Sequence, residues 1–135
     1  MSYSFETANP VAAVRYIVND VDESVNFYIN KLGFGVDIHV KGAFASLKLG
    51  NLRLFLNRPG AGGAGQAMAD GTIPAPGGWN RFQLEVRDIA SAVKQLKDQG
   101  AKFRNEIVTG VGGKQVLLED PSGNFIEIFE PASRT

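Results

Sequence analysis

The sequence repeats its own order of elements, and this constrains the fold more than any other feature. Shifting the chain by 68 positions lays Asp20 on Asp88, Val21 on Ile89 and Val25 on Val93. Shifting it by 72 lays Leu54, Leu56 and Pro59 on Ile126, Ile128 and Pro131. In the first half, Ala12–Val18 reads as a short β-branched strand. Val21, Val25, Tyr28, Ile29 and Leu32 then recur at helical spacing, with Asp20 or Asp22 as the N-cap and Gly33 as the stop. Phe34–Lys41, Phe44–Leu49 and Leu52–Asn57 read as a three-strand meander. In the second half Arg81–Val86 is a strand, Asp88 caps a helix over Ile89–Gln99, and Gly100 ends it. Phe103–Ile107, Lys114–Glu119 and Phe125–Phe129 are strands. Asp120-Pro121-Ser122-Gly123-Asn124 reads as a tight turn.

The chain is therefore βαβββ twice, an α+β protein. Residues 1–59 form the first module and residues 79–135 the second. The stretch between them, 60–78, is rich in Gly, Ala and Pro. It is too long for an ordinary structureless loop and is either a linker or a flap over a site.

Composition removes several function classes. The 135 residues contain no Cys, which excludes disulfides, thiolate metal sites and Cys nucleophiles. One His cannot supply a two-His or three-His zinc site, nor is a Ser-His-Asp arrangement readable. Lys+Arg and Asp+Glu both number 14, so no basic excess points to nucleic acid. No apolar run is long enough to span a membrane. The segment MSYSFETANP lacks the pattern of a secretory leader, and a cytoplasmic location is expected.

Strand alternation sorts the side chains into faces. Val14, Tyr16 and Val18, with Phe82, Leu84 and Val86, should pack on the helices, and Leu54, Leu56, Ile126 and Ile128 should join them. The opposite faces carry Arg15, Arg53 and Phe55 in the first half. In the second they carry Arg81, Gln83, Glu85, Phe125, Glu127 and Phe129. Aromatic walls with a few convergent polar groups describe a small-molecule pocket. The bland reading is a solvated sheet face. Trp79, beside Arg81, is either a plug for the core edge or a lid over a bound ring. His39, between Asp37 and Lys41, reads first as a solvated residue. A relocated metal site from Asp37, His39 and Glu127 has no supporting spacing. Gly110-Val-Gly-Gly-Lys114 lacks the phosphate-loop spacing and reads as a glycine hairpin.

Two stretches carry a family resemblance. Val14-Arg-Tyr-Ile-Val-Asn-Asp-Val-Asp-Glu-Ser-Val-Asn-Phe-Tyr28 is followed by Leu32-Gly33-Phe34. Phe82-Gln-Leu-Glu-Val leads to Leu118-Glu-Asp-Pro-Ser-Gly-Asn-Phe-Ile-Glu-Ile-Phe-Glu130. Together they resemble the vicinal oxygen chelate superfamily, the glyoxalase, bleomycin-resistance and extradiol-dioxygenase group. The resemblance implies two tandem βαβββ modules, a curved mixed sheet around a cavity, and a homodimer.

It also implies a metal position with one ligand from the first and last strand of each half. Those slots fall on Ala13, Phe55, Arg81 and Glu127, of which only Glu127 can bind a cation. No metal and no other cofactor are therefore expected, and an Arg81–Glu127 ion pair is expected in their place. Two functions follow. One is a metal-free protein that sequesters a hydrophobic or aromatic small molecule on Arg15, Arg53, Phe55, Trp79, Arg81, Gln83, Glu85, Phe125, Glu127 and Phe129. The other is a lyase, isomerase or dioxygenase-like enzyme with a non-standard or relocated site.

Overall fold

The computed structural model describes residues 12–133, so the N-terminal stretch read for a leader lies outside the described residues. The first strand, β1 (Ala13–Ile17), hands over to Asp20, whose side chain accepts from the Glu23 N–H and caps α1 (Val21–Leu32). Asp22 and Glu23 in the first turn and Lys31 in the last suit the helix dipole. Gly33 ends the helix at φ 79°, a left-handed conformation that glycine adopts without steric cost. Three strands follow: β2 (Gly35–Val40), β3 (Phe44–Leu49) and β4 (Leu52–Asn57). The second half contains β5 (Phe82–Glu85), α2 (Ile89–Asp98, capped by Asp88), β6 (Lys102–Phe103), β7 (Val108–Thr109), β8 (Gly113–Glu119) and β9 (Phe125–Pro131).

Each half closes its own sheet. The first has the order β1-β4-β3-β2, with β1 parallel to β4 and the rest antiparallel. The second has the order β5-β9-β8-β6, with β5 parallel to β9, and β7 also pairs with β8. The expected α+β class and βαβββ repeat are both present.

The single strand expected over 103–107 is split into β6 and β7. Between them the Asn105 side chain accepts from the Leu117 N–H at 2.9 Å, so a side chain replaces a ladder partner. In β2 the register slips between Val36 and Ile38, a bulge that singles out Asp37.

The two halves share one core. Tyr16, Val18, Leu47, Leu54 and Leu56 of the first half cluster with Phe82, Ile89, Val116, Ile126 and Ile128 of the second. The seam between them is aromatic. Phe82 on the core face of β5 stacks on Tyr16 at 5.4 Å and meets Tyr28 of α1 and Phe34 at 6.4 and 6.1 Å. Helix α1 packs on β3 and β4 and reaches the second half through Tyr28. The opposite faces of both sheets lie away from this shared core.

Polar contacts lock this seam. The Tyr28 hydroxyl donates to Asp120 Oδ2 at 2.9 Å, and the Tyr16 hydroxyl donates to the Phe125 carbonyl at 2.6 Å. The Phe82 N–H donates to the Tyr16 oxygen. Asn124 donates to the Ile17 carbonyl, and Ser122 Oγ accepts from the Asn19 N–H. Burial pushes the Tyr16 hydroxyl up to about 12 and the Tyr28 hydroxyl well above its ordinary value, so both remain donors. Asp120 is 4% exposed, and its carboxyl is raised above 3.8 chiefly by desolvation.

These contacts give the first prediction. A carboxyl whose pKa is raised by folding stabilises the fold fully below about pH 3.8 and loses that contribution as pH climbs through the folded value. Asp120→Asn removes the titration. Urea denaturation across pH 4 to 7 should therefore show the wild type losing stability relative to the variant as pH rises, whereas a flat difference would contradict the assignment. Tyr28→Phe should cost about 1–3 kcal/mol, because it strips a donor from a buried carboxyl.

Candidate functional site

The outer face of the second sheet carries the most connected polar cluster. Arg81 immediately precedes β5, and Glu127 lies two residues into β9. The parallel register sets Gln83 against Glu127 and Glu85 against Phe129. Arg81 donates from Nε and Nη2 to one oxygen of Glu127, Oε1, at 3.1 and 2.8 Å. Gln83 Nε2 donates to the other, Oε2, at 2.6 Å. Both carboxylate oxygens of this 8%-exposed Glu127 therefore have donors. The expected Arg81–Glu127 pair is formed, but both bonds converge on one oxygen rather than making a two-oxygen fork.

Arg81 is held from a second side. Its Nη1 donates to the Trp79 carbonyl at 3.1 Å. The Trp79 ring lies 5.3 Å from Phe125, two positions before Glu127 on the same face. It covers Phe125, which is buried, yet is itself 66% exposed. An exposed indole against a buried phenyl ring is a ready stacking surface. The preceding connector is pinned here, since the Gly77 N–H donates to Asn124 Oδ1 at 2.8 Å.

The outer face of the first sheet holds a separate cluster. The Arg15 guanidinium lies 5.0 Å from the Phe55 ring centroid and donates to Asn57 Oδ1, while Phe44 flanks Phe55 at 6.0 Å. Arg53 stands 3.8 Å from Asp37, which also accepts from Ser46 Oγ at 3.3 Å. Arg15, Arg53 and Phe55 thus gather on one sheet. Trp79, Arg81, Gln83, Phe125 and Glu127 gather on the other, and Glu85 and Phe129 continue that face.

The relocated metal site is not assembled. His39 Nε2 is 2.7 Å from Asp22 Oδ1, at the N-terminus of α1. Asp22 also accepts from the Gly42 N–H, and these bonds hold its carboxyl below the ordinary range, the backbone bond most strongly. His39 therefore braces the edge strand β2 against α1. Asp37 is engaged with Ser46 and Arg53, and Glu127 lies on the other sheet. Among the described residues no three of His, Asp or Glu gather as a metal-binding group.

A groove of about 290 Å³ opens between α1, β5 and α2, walled by Leu32, Leu49, Leu84, Leu96 and Ile128. Of the candidate residues only Glu85 reaches it. Its walls are mainly aliphatics from both halves, with Lys31, Glu85 and Gln95 beside them, and Arg81 and Glu127 are not part of its lining.

Comparison with known proteins identifies the family. The sequence model of the Glyoxalase/Bleomycin resistance protein/Dioxygenase superfamily matches residues 10–128, and the chain belongs to this superfamily. Solved structures share the fold over nearly their whole length. A lactoylglutathione lyase from Agrobacterium tumefaciens superposes with a TM-score of 0.69 at 21% identity, covering 93% of this chain and 96% of the other. A superfamily member from Sphaerobacter thermophilus gives 0.70 at 25% identity, over 90% and 97%. An antibiotic binding protein from a Streptomyces species gives 0.68 at 19% identity, over 95% and 100%. A search of curated proteins found no match. Among the described residues no helix is long and apolar enough to cross a membrane.

The metal position implied by the superfamily does not fit this chain. Ala13 and Phe55 have no donor atoms, Arg81 is a permanent cation, and both oxygens of Glu127 are engaged. A divalent ion there would have to displace the guanidinium from its carboxylate.

The pair can be tested by a double-mutant cycle. Arg81→Met, Glu127→Gln and the double variant should show a coupling of about 1–3 kcal/mol in chemical denaturation, as for hydrogen bonds to charged groups. Additive effects would mean that the two side chains do not support each other.

Proposed function

We propose that this protein is a metal-free small-molecule-binding member of its superfamily, which sequesters a hydrophobic or aromatic compound. The observation that carries this reading is the exposed Trp79 ring, tilted against Phe125, next to a guanidinium standing at a metal slot that the superfamily implies. An aromatic platform with an adjoining polar anchor suits a planar ligand. The antibiotic binding protein among the structural neighbours shares the fold and is consistent with this use of it.

The placement of the two sheet faces away from the core bears on assembly. One chain leaves the Arg15–Phe55 face and the Arg81–Glu127 face on separate sheets. A homodimer that apposes the first face of one protomer to the second face of its partner encloses a cavity lined by Arg15, Arg53, Phe55, Trp79, Arg81, Gln83, Glu85, Phe125, Glu127 and Phe129. The edge strand β2, with Ile38 and Val40 about half exposed, offers apolar area for such an interface.

The alternative, an enzyme of the same superfamily with a relocated site, has less support. Its most obvious general base, Glu127, is engaged by Arg81 and Gln83. The lone His39 is engaged with Asp22.

Two measurements test the reading. Protein purified without chelators or an affinity metal should contain no stoichiometric Ni, Zn, Mn, Fe or Co by mass spectrometry, before or after reconstitution. A full equivalent of any of them would return the chain to the metal-dependent members. Sedimentation should give twice the monomer mass, and a monomer at micromolar concentration would remove the shared cavity.

A further inference from the structure

The hydrogen bonds of Arg81 leave part of its guanidinium open. A guanidinium has five N–H donors. Nε and one N–H of Nη2 go to Glu127 Oε1, and one N–H of Nη1 goes to the Trp79 carbonyl. Two donors remain, one on each terminal nitrogen, and among the described residues neither has an acceptor. The side chain is 28% exposed, so the guanidinium is not sealed in the core. They belong to a planar group clamped on two sides, which fixes its position before any ligand arrives.

Two N–H bonds on the terminal nitrogens of a fixed guanidinium suit the paired oxygens of a carboxylate. The surroundings define the rest of the ligand. Trp79, whose own carbonyl holds Nη1, presents its ring beside Phe125. A planar ring attached to the carboxylate would lie along that surface. Glu127 presents no competing free oxygen, because Gln83 occupies the one that Arg81 does not. Glu85 lies four residues along the chain from Arg81, about 13 Å away at roughly 3.3 Å per residue, where solvent weakens its repulsion of an anion.

We propose that the ligand is an aromatic carboxylate, its two oxygens on Nη1 and Nη2 of Arg81 and its ring against Trp79. This deepens the proposed function and rests on that reading, because it names the chemical class the site selects. Glu127 then acts as a positioning residue: it holds the guanidinium in place without touching the ligand.

The chain contains a single Trp, so its emission reports on this site alone. The test compares 2-naphthoate with 2-naphthamide, which keeps the ring and shape and lacks the charge. Both are titrated against the full-length protein, by Trp79 fluorescence with calorimetry as a check. The carboxylate should bind about tenfold or more tightly, as expected for charge-assisted hydrogen bonds. That preference should weaken in high salt and vanish in Arg81→Gln. Equal binding of acid and amide by the wild type would overturn the inference and leave aromatic sequestration standing. Binding of neither would overturn the aromatic-binding reading, and this inference with it. The wild-type comparison is decisive even if Arg81→Gln fails to fold.

Discussion

The buried contact between Tyr28 and Asp120 is the constraint on which the rest of the structure depends. It joins the helix of the first half to the β8–β9 turn of the second, and it does so inside the core. A carboxyl that is 4% exposed is costly unless its acceptors are used. Here the Ser122 and Asn124 N–H groups, the Asn124 amide and the Tyr28 hydroxyl all donate to it. The aromatic cluster of Tyr16, Tyr28, Phe34 and Phe82, stacked in one pair and edge-on or tilted in the others, fills the space around that bond. Because this seam joins the core faces of both halves, both polar faces lie away from it.

That orientation shapes the chemistry. Two clusters, each with arginine and phenylalanine, sit on different sheets and are electrostatically different. In the first, Arg15 rests on an aromatic ring, and Arg53 is loosely paired with Asp37 near the surface. Such an exposed pair contributes about 1 kcal/mol at most. In the second, the charge is compensated by a carboxylate that is itself locked by an amide. The second cluster therefore holds its geometry without a ligand, whereas the first retains freedom to adjust.

Much of the fold was legible in the sequence because it rests on local signals. Asp20, Gly33 and Asp88 set the helix starts and one stop from within a few residues. The alternation in Leu52–Asn57 separated Leu54 and Leu56 from Arg53 and Phe55 without any tertiary information. What stayed illegible was long-range. No local pattern shows that Asn105 would interrupt a strand by capping Leu117, or that Asp37 would sit on a bulge. His39 finds its partner 17 positions earlier, across a helix end. At the candidate site, the pairing of Arg81 with Glu127 could be expected only through the family resemblance, which sets both residues at slots for a single metal ion. The two further clamps could not. Gln83 meets Glu127 only through the register of β5 on β9, and the Trp79 carbonyl is a backbone group that no side-chain pattern advertises.

The side chains at the slots that the superfamily implies for a metal also bear on what building a metal centre here would take. Changing Arg81 to a ligating residue would not recreate a coordination sphere, because positions 13 and 55 would still contribute a methyl group and a phenyl ring. Each single change meets an obstacle of its own. Losing the guanidinium strands a largely buried carboxylate, and replacing Phe55 removes the ring beneath Arg15. Single substitutions can vary the walls of the site, but installing a metal centre requires several coordinated changes through less stable intermediates.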